Sequence, residues 1–354
     1  MASKEKLTIG IVGCGGISHA HGQAARANSH KVNIIACCDV VSERAAEWAK
    51  QYGCERSYSD YEEMMAKEDL DAVLLATWPN QHREQIEKVL AAGVKNILCE
   101  KELTLTGQEA AEIFEMVNSA GAFLMEAFMY RHHPAIAKLR QLVDAGEIGK
   151  VDSVRACFSS YDPETGSPED QTRNWRQRKE CGGGIPYDFA CYCVNAVRYF
   201  AGGVPTRVQC YGGVSDKFDT VNRMYGLIQY NNGCIGLIES SKKEAFTQEL
   251  QINGSHGILD LPISWTIGNR QTITLLRELG WADLVADTFA CPAPDSYALQ
   301  MSNFVDAVRD GAAPVLPLAE SVINAFTIEA LVNSLLEGRE VLVDIPAKIR
   351  RALV

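Results

Sequence analysis

The stretch Leu7-Thr8-Ile9-Gly10-Ile11-Val12, followed directly by Gly13-Cys14-Gly15-Gly16-Ile17-Ser18, decides the fold of this chain. The first half is an apolar run that predicts a buried strand, and the second half is a glycine-rich turn that leads into a helix. Such a unit directs free backbone N–H groups and the helix dipole at one point, where a dinucleotide pyrophosphate binds. The cofactor-binding residues predicted here are Gly13, Gly15, Gly16, Ile17 and Ser18, the last standing where the strict pattern has a glycine.

The composition limits the class of protein. The chain has 354 residues, of which 47% are hydrophobic and 22% charged, and this predicts a globular protein of two domains. The net charge of -11 argues against a nucleic-acid partner, and no apolar run reaches the roughly 18 residues that span a bilayer. With no signal-peptide pattern, we expect a cytoplasmic protein without a membrane partner. The twelve cysteines lack zinc-site spacing, so we expect reduced thiols and no metal.

The first third alternates between strand-like and helix-like runs. Strands are predicted at 8–12, 32–38, 72–76, 96–99 and 122–125, and helices at 19–27, 43–52, 61–66, 83–92 and 108–119. Near-continuously apolar strands that alternate with helices predict a parallel sheet covered on both faces. We therefore expect an α/β protein with a doubly wound, Rossmann-type NAD-binding domain over residues 1–125.

Residues 126–354 follow a different pattern. After a helix at 134–145, strand-like runs at 150–160, 207–213, 223–230, 234–240, 248–253 and 258–260 follow one another through short turns. This predicts an α+β domain with a large, mostly antiparallel open sheet, covered on one face by a helix around 188–199. Two more helices are predicted at 297–309 and 318–337. The uncovered face predicts a homo-oligomer, and the polar segment 162–179 predicts a loop that lines a substrate site.

An acidic residue follows the second predicted strand. Asp39 lies 24 residues after Gly15, near the offset expected for a carboxylate that binds the ribose hydroxyls and repels a 2′-phosphate. No arginine follows it directly and Arg44 is expected to point away, so NAD is favoured over NADP. The alternative is that Asp39 only caps the next helix, a role that Ser42 could also fill.

The segment Glu100-Lys101-Glu102 follows another predicted strand. Because ligands bind at the carboxyl edge of the strands in open α/β sheets, we expect Lys101 near the nicotinamide. The alternative is a solvated surface lysine.

Motifs along essentially the whole chain together resemble the Gfo/Idh/MocA family of oxidoreductases, which includes glucose–fructose oxidoreductase and inositol dehydrogenase. The resemblance rests on the glycine loop, on residues 126–131, and on a set of motifs further along the chain: Ala76-Thr77, His82, Glu100-Lys101, Gly182-Gly183-Gly184, Tyr187-Asp188 and Tyr192. Residues 126–131 and 188–192 look closest to the branch of dihydrodiol dehydrogenase and glucose–fructose oxidoreductase.

The resemblance implies an enzyme that moves a hydride between the nicotinamide and a secondary alcohol of a sugar, glycoside or cyclitol, with oxidation of ring carbon 3 of a glucoside as one specific form. Tyr192 is implied as the acid/base, with the Lys101 ammonium stabilising its phenolate and Asp188 contacting a substrate hydroxyl. The alternative for Tyr192 is a tyrosine that only packs in its helix. The alternative for Asp188 is a carboxylate that only stabilises the helix N-terminus. Further implied cofactor contacts are Thr77, Trp78, His82, Glu100, Lys101 and Arg131, and implied substrate contacts are Lys101, Trp175, Arg176, Asp188 and Tyr192.

Two positions depart from the family pattern. Glu102 stands where the family usually has a proline, often in a cis bond, and since a cis bond without proline costs about 3 kcal/mol we expect a trans bond. Trp78 also stands where proline is common, and either stacks on the cofactor or packs in the core. The glycine run 182–184 is expected to let cofactor or substrate approach the backbone.

Two other functions stay open at this point. One is an NADP-dependent trans-dihydrodiol or aldose dehydrogenase, and the other is a nucleotide-sensing regulator without turnover. The presence of both Lys101 and Tyr192 counts against the regulator.

Overall fold

A computed structural model describes residues 6–170, 174–265, 270–280, 283–292 and 295–353. The chain divides into two compact units. The first comprises 1–104, 109–132 and 294–318, and the second 105–108, 133–293 and 319–354. The first unit therefore takes in a segment near the C-terminal end as well as most of the predicted first domain. The assignment of functional domains to 1–125 and 126–354 stays a prediction.

The sheet of the first unit has six parallel strands in the order β3-β2-β1-β4-β5-β6. These strands are β1 (Leu7–Val12), β2 (Val32–Cys38), β3 (Arg56–Tyr58), β4 (Ala72–Leu75), β5 (Asn96–Glu100) and β6 (Phe123–Ala127). All residues of β4 are buried, as expected for strands covered by helices on both faces. The predicted doubly wound parallel sheet is confirmed.

Nine of the ten α-helices that the described residues form lie close to their predicted positions, and the last, at Ala347–Arg351, was not predicted. The ten helices are α1 (Ser18–Ala27), α2 (Ser42–Tyr52), α3 (Tyr61–Lys67), α4 (Pro79–Ala91), α5 (Gly107–Ser119), α6 (Pro134–Asp144), α7 (Cys191–Ala201), α8 (Ser296–Asp310), α9 (Leu318–Glu337) and α10 (Ala347–Arg351). Gly53 ends α2 with φ +74°, a left-handed conformation that glycine adopts without steric cost.

The segment that carries α8 belongs to the first unit because it packs on α1. The Asn28 side chain donates to the Ala298 carbonyl at 2.9 Å, and Lys31 forms an ion pair with Asp306 at 2.7 Å.

The second unit contains a nine-stranded sheet in the order β14-β13-β12-β11-β7-β10-β9-β8-β15. Its strands are β7 (Val151–Ser159), β8 (Pro205–Val214), β9 (Val221–Tyr230), β10 (Ile235–Ser241), β11 (Thr247–Gly254), β12 (Gly257–Leu261), β13 (Arg270–Gly280), β14 (Asp283–Pro292) and β15 (Val341–Leu342). Strands β7 and β10 pair in parallel and the other neighbours antiparallel, which confirms the mostly antiparallel sheet. The sequence prediction missed β13 and β14, and also β3 and β15, which have only three and two residues. In β14, at the edge of the sheet, the neighbouring residues Leu284 and Val285 are both exposed, so the strand does not alternate between a buried and an exposed face.

The two faces of this sheet differ. Helix α7 packs on β7 and β10, and α9 meets β8, where Ser334 Oγ accepts the Cys210 N–H at 2.9 Å. The opposite face exposes Tyr211, Leu227 and Leu237. Residues alternate between the two faces along β9, as a strand with one packed face requires.

All twelve cysteines are free thiols, and eleven of them are buried, as predicted for core residues; Cys54 is partly exposed. Among the helices formed by the described residues, none combines the length and the hydropathy needed to cross a bilayer.

Candidate functional site

The glycine loop leaves β1 beside the end of β4, at the point where the strand order reverses. Gly13 has φ +92°, and a Cβ at this position would lie 2.6 Å from the Ala76 carbonyl oxygen. Both facts require glycine here, because other residues avoid this conformation and would collide with the backbone after β4. The loop is thus held at the carboxyl edge of the sheet, where ligands bind in this class of fold.

The next residues leave room and donors for an anion. A Cβ at Gly15 or Gly16 would meet no atom of the described residues within 4 Å. The N–H groups of Gly15, Gly16 and Ile17 donate to no acceptor in the described part of the chain. Ser18 is buried, starts α1 and donates from Oγ to the Gly15 carbonyl at 2.5 Å. Unused N–H groups at a helix N-terminus fit a pyrophosphate.

Asp39 lies beside this loop, at the end of β2, and is buried. Its Oδ2 accepts the Cys14 N–H at 2.9 Å, and its Oδ1 accepts the Val41 N–H at 2.9 Å. The carboxylate is therefore fixed against the glycine loop. Ser42 does not cap α2, since its hydroxyl bonds Glu43.

Arg44 does not point away, as we expected from the sequence. Its Nη1 lies 3.2 Å from Oδ1 and 3.3 Å from Oδ2 of Asp39, while half of the side chain stays exposed. The expectation was wrong because Arg44, five residues after Asp39 in the first turn of α2, reaches back to the strand end and screens a buried charge. The cation next to the predicted ribose-binding carboxylate bears directly on the choice between NAD and NADP.

A cavity of about 480 Å³ opens beside these groups. Gly13, Gly15 and Asp39 line it, together with Thr77 and Trp78 from the turn after β4. Cavities of this size hold small ligands and cofactors. Trp78 is 37% exposed at this wall, which excludes core packing for its side chain.

Thr77 is fixed by a residue that the sequence analysis missed. Its hydroxyl donates to Gln85 Oε1 at 2.6 Å, from the buried side of α4.

Lys101 follows β5 and is partly buried. The Glu100 carboxylate before it is 5% exposed and accepts two hydrogen bonds, one at 2.7 Å from His21 Nε2 on α1 and one at 3.2 Å from the Lys101 N–H. These contacts turn the Glu100 side chain into the interior of the first unit, where it fixes the backbone of Lys101.

The bond between Lys101 and Glu102 is cis, where we had expected trans. The residues after it are held on both sides. Glu126 Oε1 accepts the Leu103 N–H at 2.8 Å, and His82 Nδ1 lies 3.1 Å from the carbonyls of Glu102 and Leu103. The expectation considered only the intrinsic preference of the peptide bond and could not include these long-range contacts.

His82 is fully buried, and its Nε2 lies 3.3 Å from the Thr77 carbonyl. Burial lowers the pKa of His82, with hydrogen bonds to backbone carbonyls acting in the opposite direction. The side chain thus joins the turn that carries Thr77 to the segment that carries Lys101.

Arg131 and the two histidines after it follow β6. Arg131 is buried and donates to the Val315 carbonyl at 3.3 Å. Burial, together with the Arg131 charge, lowers the pKa of His132 to about 3. His133 accepts the Ala135 N–H through Nδ1 at 3.0 Å and so caps α6, which is a structural role.

Tyr192 lies in the first turn of α7 and is 7% exposed. Its ring makes an edge contact with Phe158 at 5.7 Å and a tilted contact with Trp265 at 6.1 Å. Trp265 is itself fixed, because its Nε1–H donates to the Cys157 carbonyl at 2.7 Å. The ring of Tyr192 is therefore oriented by aromatic packing that the sequence analysis missed.

Asp188 and Arg176 are brought together. Arg176 Nε donates to Asp188 Oδ2 at 2.8 Å, and Asp188 is 3% exposed. The Arg176 guanidinium also stacks over the Trp175 ring at 4.8 Å. Asp188 lies in a π-helical turn, Pro186–Ala190, that continues into α7, instead of the α-helical turn we expected. Such turns are frequent at functional sites.

Gly183 and Gly184, in the glycine run 182–184, lie against the protein's own backbone. The expected approach of cofactor or substrate to this run stays a prediction. A Cβ at Gly183 would lie 2.7 Å from the carbonyls of Trp175 and Arg178, and one at Gly184 would lie 2.8 Å from the Val221 carbonyl. The glycines thereby let the turn that carries Trp175 and Arg176 lie against the start of the helix that carries Asp188.

Comparison with known proteins agrees with this arrangement. Residues 7–128 match the model described as an oxidoreductase family with an NAD-binding Rossmann fold, and residues 136–260 match the GFO/IDH/MocA C-terminal domain. The chain is 33% identical over 344 residues to D-xylose 1-dehydrogenase (NADP(+)) 2 of Haloferax volcanii, covering 96% of this chain and 100% of that protein.

A second relative and a solved structure carry names that give a different cofactor and substrate from those of this xylose dehydrogenase. Scyllo-inositol 2-dehydrogenase (NAD(+)) of Bacillus subtilis is 24% identical and covers 97% of this chain and 98% of its own. The solved structure of levoglucosan dehydrogenase in complex with NADH superposes with a TM-score of 0.86 at 22% identity, over 97% of this chain and 100% of that one.

Proposed function

Because the chain belongs to the Gfo/Idh/MocA family of oxidoreductases, we propose that it is an NAD-dependent dehydrogenase that acts on a secondary alcohol of a sugar, glycoside or cyclitol. That the chain is a nicotinamide-dependent oxidoreductase acting on CH–OH groups follows from the family and its named dehydrogenases. The observation that carries the proposal is the glycine loop with its three unused N–H groups beside the buried carboxylate of Asp39.

The reacting groups are proposed by residue. A nicotinamide held by the glycine loop would supply the hydride acceptor for oxidation of the alcohol carbon, or the hydride donor for the reverse reaction. Tyr192 takes the proton from the substrate hydroxyl, and the Lys101 ammonium stabilises the phenolate and orients the hydroxyl. Asp188 accepts a hydrogen bond from a neighbouring hydroxyl and is held for this by Arg176.

The same side chains support the proposed substrate class. A carboxylate and a guanidinium beside a tryptophan face suit a ring that carries several hydroxyls on an apolar face. We propose oxidation at ring carbon 3 of a glucoside as the first form to test. A screen of sugars, glycosides and inositols at fixed NAD, read at the nicotinamide absorbance, identifies the substrate.

Two variants test the assigned roles. Tyr192→Phe and Lys101→Ala should each lower kcat by roughly 10²- to 10⁴-fold, as expected for loss of a general acid/base. Tyr211→Phe, at an exposed tyrosine of β8, is the matched control and should leave kcat unchanged. Turnover retained by both site variants on every accepted substrate would refute the roles. No turnover with any substrate or either cofactor would favour the nucleotide-sensing regulator.

A second candidate, an NADP-dependent aldose or trans-dihydrodiol dehydrogenase, is favoured by the position of Arg44. The Arg44 guanidinium screens the Asp39 carboxylate, which would otherwise repel a 2′-phosphate, and this cation supports the NADP alternative. If NAD is the cofactor, Asp39→Ala should raise the KM for NAD. If NADP is the cofactor, Arg44→Gln should raise the KM for NADP. Lys88→Gln is the control, because Lys88 lines the same cavity but is held by Glu62 and Glu84.

We further propose a homo-oligomer that works in the cytoplasm. Support for self-association comes from the apolar side chains on the uncovered face of the nine-stranded sheet. Support for the compartment comes from the twelve free thiols, which are typical of a reducing environment.

A further inference from the structure

His21 joins the helix of the glycine loop to the strand end that carries Lys101. It lies one turn after Ser18 on α1 and is 1% exposed. Its Nε2 lies 2.7 Å from Glu100 Oε1, and its ring makes an edge contact with Tyr297 of α8 at 5.6 Å. Its Nδ1 has no hydrogen-bond partner among the described residues, so the contact with Glu100 is the polar anchor of this side chain.

Glu100 is buried, with 5% of its surface exposed. Its second oxygen accepts the Lys101 N–H at 3.2 Å. A carboxylate at this depth needs donors, because an ion without partners is costly to bury. If His21 is removed, the Lys101 N–H is the one donor that the described residues still offer this carboxylate. The most direct relief is then for the carboxylate to turn towards water and release that bond.

The geometry points to His21 as a positioning residue for the reaction: by holding Glu100 from α1, it fixes the backbone of Lys101 relative to the glycine loop. The inference rests on the proposed function, in which Lys101 contacts the reacting hydroxyl. His21 itself is not placed at the reacting atoms.

Two variants of His21, made in the whole 354-residue chain, test this role. His21→Leu should lower kcat by roughly 10- to 100-fold, because small displacements of a reacting group have effects of this size. The Kd for NADH and the KM for the alcohol should stay within about threefold, since the loop and the substrate contacts are not removed. His21→Gln, whose amide can donate to Glu100, should restore most of kcat.

His19→Leu is the matched control. His19 lies on the same helix, and its Nδ1 bonds the Tyr52 hydroxyl at 3.0 Å instead of a carboxylate. We expect kcat of this variant near that of the wild type. Equal kcat in His21→Leu and His19→Leu, or a loss confined to KM, would overturn the inference.

Two further measurements test the inference if His21→Leu does not fold or if the wild type shows no turnover. If His21→Leu does not fold, Glu100→Gln should reproduce the fall in kcat, since an amide presents one acceptor where two are needed. If the wild type shows no turnover, the proposed function fails separately, and hydrogen exchange decides: the Lys101 amide should exchange faster in His21→Leu than in His19→Leu. Equal exchange would contradict the role.

Discussion

Gly13 and Gly15 are two residues apart, yet they are glycines for different reasons. Gly13 has φ +92° and lies against the Ala76 carbonyl, so the fold itself requires it. At Gly15 a Cβ would meet open space, so only a ligand that approaches the backbone would exclude a side chain. The same residue type thus marks a folding constraint at Gly13 and, under the proposed function, a binding surface at Gly15.

This difference predicts separate effects for two alanine substitutions. Gly13→Ala should lower the free energy of unfolding by about 1–3 kcal/mol, because alanine is strained at this backbone conformation. Gly15→Ala should leave the unfolding midpoint in urea near that of the wild type but raise the Kd for NADH at least roughly tenfold. Normal NADH binding by Gly15→Ala would show that the cofactor does not approach this residue.

The lowered pKa of His132, next to Arg131, predicts that the free energy of unfolding falls in acid. The pKa of His132 is lowered from 6.5 to about 3 by burial and by the Arg131 charge. Between these values the unfolded chain binds the proton and the folded chain does not, so the free energy of unfolding falls as the pH drops below 6.5. The loss at pH 5 relative to pH 7 should be about 2 kcal/mol from this group.

Urea unfolding of His132→Leu at pH 7 and pH 5 checks this value. The variant should lose about 2 kcal/mol less than the wild type between the two pH values. His30→Leu, at an exposed histidine, should behave like the wild type. An unchanged pH dependence in His132→Leu would mean that the neutral form is not favoured by the fold.

At the scale of elements, the segment before α7 depends on close backbone contact. The turn Trp175–Gln177 lies on Gly183, where a Cβ would be 2.7 Å from two carbonyls, and Arg176 from this turn reaches Asp188 in the π-helical turn. Two short elements therefore position the charged pair jointly, and neither fixes it alone.

We expect Gly183→Ala to displace this turn and weaken substrate binding. The KM for the alcohol should rise about tenfold, which is about 1.4 kcal/mol, while the Kd for NADH stays unchanged. Gly280→Ala is the control, because a Cβ there would meet no atom within 4 Å. A KM near that of the wild type for Gly183→Ala would separate the turn from the substrate site.

At the scale of the whole molecule, the nine-stranded sheet is packed on one face and exposed on the other. Helices α7 and α9 cover the first face. On the second face Tyr211 is 62%, Leu227 46% and Leu237 37% exposed. Several exposed apolar side chains on one face of a sheet are typical of a protein–protein contact.

A negative charge introduced on this exposed face should prevent the proposed self-association. Sedimentation of the wild type should show an oligomer, whereas Leu227→Asp and Leu237→Asp should sediment as monomers, because association would bury an unpaired carboxylate. Leu284→Asp, at an exposed position of β14, should keep the oligomeric state. A monomeric wild type would remove this proposal and leave the assigned activity untouched.

The sequence by itself determined the parallel sheet, most of its strand and helix positions, the glycine loop and Asp39 at the end of β2. These features were predictable because they depend on the period of apolar residues and on glycine geometry, which act over short stretches of chain. The resemblance of the motifs also predicted Arg176 and Asp188 as substrate contacts, and the fold brings these two side chains together.

Only the tertiary structure decided which side chains hold the predicted site residues in place. His21 and Glu100 are 79 residues apart, and residues 294–318 join the first unit from far along the chain. Arg44 turns to Asp39, and the Lys101–Glu102 bond is cis, although local preferences favoured the opposite in both cases. Buried charges and carbonyls need hydrogen-bond partners, and the packing of the folded chain decides which side chains lie near enough to serve. This depends on the whole fold and cannot be read from a short stretch of sequence.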